Sequence, residues 1–74
     1  MYGIFEACTE IRKALTGTNV KYIEMDNLAD MMVCEPSRAE VVIDFLHYCE
    51  RINYLQRDKL LEILNNCEHY DYPV

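Results

Sequence analysis

Apolar residues recur at three- and four-residue steps along most of this chain, which is the spacing that lines one face of an α-helix. The pattern is clearest from Ser37 to Leu55, in the stretch SRAEVVIDFLHYCERINYL. Ser37 and Glu40 have the S-x-x-E spacing of a capping box, which satisfies two free backbone N–H groups at a helix start. Asn53 can adopt the left-handed conformation that ends a helix. We therefore predict one strong amphipathic helix over this stretch.

This predicted helix has an apolar face and a charged face. The apolar positions expected to face the core are Val41, Val42, Phe45, Leu46, Cys49 and Ile52. The positions expected on the other side are Glu40, Asp44, His47 and Arg51. Because that side has both signs of charge, it suits a surface on which charge complementarity fixes the partner and its register. The competing interpretation is that Glu40 and Asp44 belong to an ordinary solvated face.

A first helix is predicted from about Tyr2 to Thr16. Its apolar positions are Ile4, Cys8, Ile11 and Leu15. Gly17 is well suited to the left-handed conformation that caps a helix. The next segment, VKYIEM from Val20 to Met25, alternates apolar and charged residues imperfectly. A single short strand cannot make a sheet, so we interpret the segment as an extended connection or an extra helical turn.

A second, short helix is predicted over DNLADMMV, and a last one over LQRDKLLEILNNC, which starts at Leu55. Asp26 or Asn27 can cap the short helix by accepting a hydrogen bond from a free N–H. It stops before Pro36, because a residue ahead of proline avoids the helical conformation. The apolar positions of the last helix are Leu60, Leu61, Leu64 and Cys67. Together the segments predict an all-α fold, a compact bundle of four to five short helices.

A chain of 74 residues is expected to form one domain. We assign residues 1–67 to the helical bundle and residues 68–74, which lack periodicity, to a tail or the start of a linker. Tyr70 and Tyr72 lie in this tail. Because tyrosine combines a large apolar ring with a polar tip, both are candidates for contact with a partner.

The net charge of −6, from 13 acidic and 7 basic residues, restricts the class of partner. Nucleic-acid and anionic membrane surfaces both need clustered Lys and Arg, so we expect neither as a direct partner. The start, MYGIFEACTEIRK, lacks the features of a signal peptide, and no apolar run approaches membrane-spanning length. We therefore expect a cytoplasmic protein whose four cysteines stay reduced.

The residue types needed for catalysis or metal binding do not cluster in the sequence. There is no C-x-x-C or H-x-x-x-H spacing, and no glycine-rich phosphate loop. His47 and Cys49 are two residues apart, so on a helix they point in different directions. We expect no enzyme, no metal site and no cofactor.

The stretch RAEVVIDFLHYCERINYL, followed by KLLEIL, resembles the closing helices of bacterial effector-associated domains, which are small helical modules related to death-fold domains. In that family an acidic–basic pair ends one helix, a Gly or Asn follows, and a Leu opens a Leu-rich last helix. Glu50–Arg51, Asn53 and Leu55 match those places here. EIRKALTGTNVKYIEM is similar to the family's first helix and loop, with matching apolar positions at Ile11, Leu15, Val20 and Tyr22. The resemblance implies a homotypic adaptor that recruits an effector in bacterial defence or signalling, without catalytic residues.

Three functions follow from these features. The first is a non-enzymatic protein-interaction module, with a protein partner or a second copy bound through Glu40, Asp44, His47, Arg51, Tyr70 and Tyr72. The second is a small acidic phage or viral inhibitor that occupies a basic site on a host enzyme. The third is a helix-turn-helix regulator over LADMMVCEPSRAEVVIDFL, which is the weakest because Arg38 faces Glu40 and Asp44 where a DNA reader needs basic residues.

Overall fold

Four α-helices build the fold in a computed structural model that describes residues 1–69. They are α1 (Ile4–Ala14), α2 (Tyr22–Cys34), α3 (Pro36–Tyr48) and α4 (Tyr54–Asn66). The prediction of an all-α bundle is confirmed, with four helices in the described part of the chain. No helix within residues 1–69 is long and apolar enough to cross a membrane.

The helices form a ring around one core. Each packs against its neighbour in sequence, and α4 closes the ring by packing against α1. Helices α1 and α3 therefore lie diagonally across from each other. The largest fully buried side chains come from all four helices and the end of α1: Ile11, Leu15, Leu28, Met32, Val33, Ile43, Leu60 and Ile63.

The two ends of the described chain are joined by backbone hydrogen bonds. The Tyr2 N–H donates to the carbonyl of Asn66 at 2.8 Å, and the Glu68 N–H donates to the carbonyl of Tyr2 at 2.8 Å. This makes an isolated parallel bridge between Tyr2 and Cys67, whose side chain is buried. The segment ahead of α1 and the segment after α4 are thus part of the same packed unit.

Helix α2 begins earlier than predicted. Its first residue is Tyr22, and the Glu24 carboxylate accepts a hydrogen bond from the Lys21 backbone N–H at 2.8 Å. Most of the ambiguous VKYIEM segment is therefore the first turn of a 13-residue helix. The prediction that Asp26 or Asn27 caps this helix is wrong, because both lie inside it and Glu24 caps its start at Lys21.

Helix α3 is shorter than the predicted helix and differs at both ends. It starts at Pro36, which suits the first helical position because that position needs no N–H donor, and Ser37 is already inside the helix. The predicted capping box of Ser37 and Glu40 is therefore wrong. After α3 ends at Tyr48, Glu50 adopts a left-handed conformation with φ of 59°.

Asn53 does not end α3 as predicted; it starts α4. Its side chain accepts a hydrogen bond from the Gln56 N–H at 2.8 Å, and the Gln56 side chain accepts one from the Asn53 N–H at 2.9 Å. This reciprocal pair satisfies two free N–H groups of α4. The predicted single helix to Leu55 is thus interrupted by a loop between α3 and α4.

The buried face of α3 is rotated from the predicted one, whereas α1 differs only in its first turn, because Ile11 and Leu15 are buried as predicted. In α1, Ala7 is buried and the predicted core residue Ile4 is exposed. In α3, the buried residues are Ala39, Ile43 and Leu46, whereas Val41 and Phe45 are exposed. Helix α3 has apolar residues along two lines, and the core takes the line that includes small Ala39.

Candidate functional site

The second apolar line of α3 lies on the outside of the bundle. Val41, Phe45 and Tyr48 have 66%, 62% and 85% of their surface exposed. They are spaced four and three residues apart, so they lie side by side along the helix. We call these three residues the α3 stripe.

The α3 stripe points directly away from the core. Val41 is two residues from both Ala39 and Ile43, and Tyr48 is two residues from Leu46. Residues two apart in a helix point in different directions. Ala39, Ile43 and Leu46 are the buried residues of α3, so the stripe residues point away from the core. Single exposed apolar residues are common on proteins, but a contiguous apolar patch is typical of an interaction surface. The stripe is therefore the strongest candidate site in residues 1–69.

One edge of the α3 stripe is acidic. Glu40 and Asp44 directly precede Val41 and Phe45 in sequence, and both are exposed. The Asp44 carboxylate accepts a hydrogen bond from Arg57 Nε of α4 at 3.2 Å, which holds it at the boundary with α4. Two of the predicted contact residues, Glu40 and Asp44, thus border an apolar surface that includes Val41 and Phe45, which were predicted to face the core.

Arg51 does not lie on α3 with Glu40 and Asp44. It follows the end of α3, and its guanidinium faces the first turn of α2. Arg51 Nη1 donates to Glu24 Oε1 at 2.8 Å, and Arg51 Nη2 donates to Glu24 Oε2 at 2.7 Å. Arg51 Nε also donates to the Asn19 side chain at 3.2 Å. These contacts connect two loops and a helix start, so Arg51 stabilises the fold.

Of the remaining predicted contact residues, the structure describes only His47, which does not belong to the stripe. His47 is half-buried, and its position in α3 falls between the stripe and the core. Tyr70 and Tyr72 lie outside the described residues.

The loops around Arg51 line an open groove of about 700 Å³. One side is formed by residues 16–19 and the other by residues 50–54, with His47 between them. The lining is polar, but the Arg51 guanidinium already pairs with Glu24. Nothing in the groove combines a nucleophile with a base, and residues 1–69 contain no cluster of three metal-ligating side chains.

Cys8 of α1 lines a smaller cavity of about 170 Å³ on the outside of the bundle. The Cys8 thiol donates a hydrogen bond to the Asp26 carboxylate at 2.8 Å, and Arg12 Nη2 donates to the same oxygen at 3.0 Å. The hydrogen bond to Asp26, with burial adding to it, raises the pKa of Cys8 above its ordinary value. Because the thiolate is the reactive form, this arrangement makes Cys8 a poor nucleophile.

The α1 side of the molecule has an exposed aromatic ring that sequence reasoning did not single out. Phe5 is 81% exposed and lines the same cavity as Cys8, together with Thr9 and Arg12. The Arg12 guanidinium lies 4.7 Å from the centre of the Tyr22 ring, a cation–π distance. The sequence signal was present, because Phe5 falls off the line of Ile11 and Leu15.

Compared with models of known protein families, with curated proteins and with solved structures, the chain matches none. The interpretation of the site therefore depends on its own geometry.

Proposed function

We propose that this chain is a non-enzymatic protein-interaction module of the adaptor type, and that the α3 stripe is its binding surface. The observation that carries the proposal is the line of Val41, Phe45 and Tyr48 on the side of α3 opposite the core. An exposed line of two aromatic rings and a valine contributes little to the fold. Aromatic residues in such positions supply most of the binding energy in many protein interfaces.

The charge around the stripe defines the chemistry of its partner. Six of the seven basic side chains lie within 4.0 Å of a carboxylate, so most of the positive charge is already neutralised. Glu40 stays exposed beside Val41 and adds to the net charge of −6. A complementary partner surface is an apolar ridge bordered by Lys or Arg.

The apolar centre of the surface favours an adaptor over the other two candidate functions. A DNA reader needs basic and hydrogen-bonding side chains on its exposed helix, and α3 exposes Val41, Phe45 and Glu40 there. A purely acidic inhibitor needs carboxylates at the centre of its surface, whereas those of α3 form an edge. A cytoplasmic location is part of the proposal, as expected from a start without the features of a signal peptide.

The experiment that tests this function is a titration of isotope-labelled protein with a basic amphipathic helical peptide of Leu and Lys, followed by NMR. We expect chemical-shift changes concentrated on residues 40–49. A peptide in which Glu replaces Lys is the control, and we expect it to cause none. Shifts spread over the whole bundle, or equal shifts with the acidic peptide, would exclude the α3 stripe as the binding surface.

A matched pair of variants separates the stripe from general surface apolarity. Val41 and Ile23 are both β-branched, lie in helices, and have 66% and 67% of their surface exposed. We expect Val41→Gln to weaken peptide binding about tenfold, equivalent to roughly 1.4 kcal/mol. We expect Ile23→Gln, which lies on α2, to leave binding unchanged.

A further inference from the structure

We propose that the partner of the α3 stripe is a second copy of this chain, which docks through the outer surface of its α1 helix. This inference rests on the proposed function, because it names the occupant of the same stripe. The α1 surface consists of Phe5, Thr9, Arg12 and Lys13, which are spaced four, three and one residues apart. All four are exposed.

The α1 surface has the shape expected of a receiving site. Its cavity of about 170 Å³ lies between Phe5 and Arg12 on the outside of the bundle. The Thr9 hydroxyl donates to the Phe5 carbonyl at 3.1 Å, so it needs no further partner when water is excluded. An aromatic anchor that enters a recess of this kind is the usual centre of a protein interface.

The charges of the two surfaces are complementary. Lys13 is 71% exposed and lies 3.9 Å from the Glu10 carboxylate, a long and weak contact that leaves its ammonium group available. Arg12, at the same end of α1, is already paired with Asp26 at 3.0 Å, so Lys13 is the basic group that this surface offers. The α3 stripe has Glu40 and Asp44 along one edge. An exposed apolar ring, Phe5, with the basic side chain of Lys13 on the same face of the helix, thus exists on this chain itself.

The position of the two surfaces determines the form of the assembly. Helices α1 and α3 lie diagonally across the ring, so one copy can offer its α1 surface and its α3 stripe at the same time. A contact between two different surfaces is heterologous, and where the rotation between copies does not close a ring it leaves one surface of each kind unoccupied at the ends. We therefore expect head-to-tail chains that lengthen with concentration.

The test is sedimentation equilibrium of the wild-type chain and of two variants, Phe5→Gln and Phe45→Gln. Both rings are exposed, and circular dichroism checks that each variant keeps its helices. We expect the mass of the wild type to rise continuously from micromolar to millimolar concentration. Each variant alone should remain a monomer, and an equimolar mixture should form a dimer, because each variant retains the surface that the other lacks.

Other outcomes overturn the inference. A wild-type mass that levels off at a dimer, together with an unaffected Phe5→Gln variant, would show that two α3 stripes pair with each other. A wild-type monomer at all concentrations would exclude self-assembly. If the basic peptide still binds residues 40–49 of that monomer, the interaction function stands and the partner is a different protein. If the peptide also fails to bind, both proposals fail.

A charge-matched pair of variants tests the basic border. Lys13→Glu and Lys59→Glu both change the net charge from −6 to −8, so they increase the general repulsion between copies equally. Lys59 belongs to α4, and its ammonium group lies 3.6 Å from Glu62. We expect Lys13→Glu to weaken self-association about tenfold more than Lys59→Glu does. Equal effects of the two variants would exclude the α1 surface.

Discussion

Arg51 and Glu24 form a two-pronged ion pair, with both guanidinium Nη atoms within 2.8 Å of a carboxylate oxygen. The two residues are 27 positions apart in sequence, and the pair joins the α3–α4 loop to the first turn of α2. Bidentate geometry of this kind needs the planar fork of arginine. We expect Arg51→Lys to lower the thermal unfolding midpoint clearly, even though it keeps the charge.

A matched control for this pair is Arg38→Lys. Arg38 makes a single, longer contact of 3.6 Å with Glu35 and is 68% exposed, so we expect little change in the unfolding midpoint. Thermal unfolding followed by circular dichroism measures both variants. Equal midpoints for Arg51→Lys and the wild type would mean that the pair does not stabilise the fold.

The same pair makes stability depend on acid pH. The hydrogen bonds from Arg51 and from the Lys21 backbone N–H lower the pKa of Glu24 from 4.5 to about 2. A carboxylate with a lowered pKa in the folded state stabilises the fold above its ordinary pKa, and this contribution is lost as the pH falls from 4.5 towards 2. Urea unfolding at several pH values should therefore show a decline in that range.

Glu24→Gln should reduce this decline, since the amide does not titrate there. It should not remove the decline completely, because hydrogen bonds from Cys8 and Arg12 also lower the pKa of Asp26. A variant with the same slope as the wild type between pH 4.5 and 2 would contradict the assignment to Glu24.

Glu50 is the one non-glycine residue with a positive φ in the described chain, at 59°. This conformation is unfavourable for side chains with a Cβ, and glycine adopts it freely. We expect Glu50→Gly to stabilise the protein by about 1 kcal/mol. The same substitution at Glu40, inside α3, should destabilise it by about 1 kcal/mol. Urea unfolding of the two variants should thus give changes of opposite sign.

The rotation of α3 is testable by truncating side chains on its two apolar lines. Ile43 is fully buried, so Ile43→Ala should destabilise the bundle by about 2–5 kcal/mol. Val41→Ala removes exposed atoms and should change stability by at most about 0.5 kcal/mol. Large and equal losses at both positions would place Val41 in the core, as the sequence alone had suggested.

The existence of the helices was predictable from sequence, because apolar periodicity reports which residues can share a face. Leu28, Met32, Leu60 and Leu64 are buried as the pattern required. Periodicity could not choose the buried side of α3, because Val41 and Ile43 both belong to apolar lines with helical spacing. Packing decides that question through Ala39, whose small size lets α3 approach its neighbours, and alanine adds little to a hydrophobic pattern.

The helix ends and the candidate site were less predictable for a related reason. The sequence pattern favoured Asp26 or Asn27 as the cap of α2, whereas Glu24 performs that role and is also held by Arg51, which is distant in sequence. The α3 stripe was misassigned because an exposed apolar line and a buried one have the same spacing. An exposed apolar line on a helix therefore resembles a core face until the fold is known.

The bridge at Tyr2 gives the bundle a particular response to mechanical load. Tension applied to the two ends would pull Tyr2 and Glu68 in opposite directions along a parallel pair. In that shear geometry both backbone hydrogen bonds of Tyr2 bear the force together, and neither can open first as in unzipping. When the protein is pulled at its ends, these two hydrogen bonds should therefore break before any helix begins to unfold.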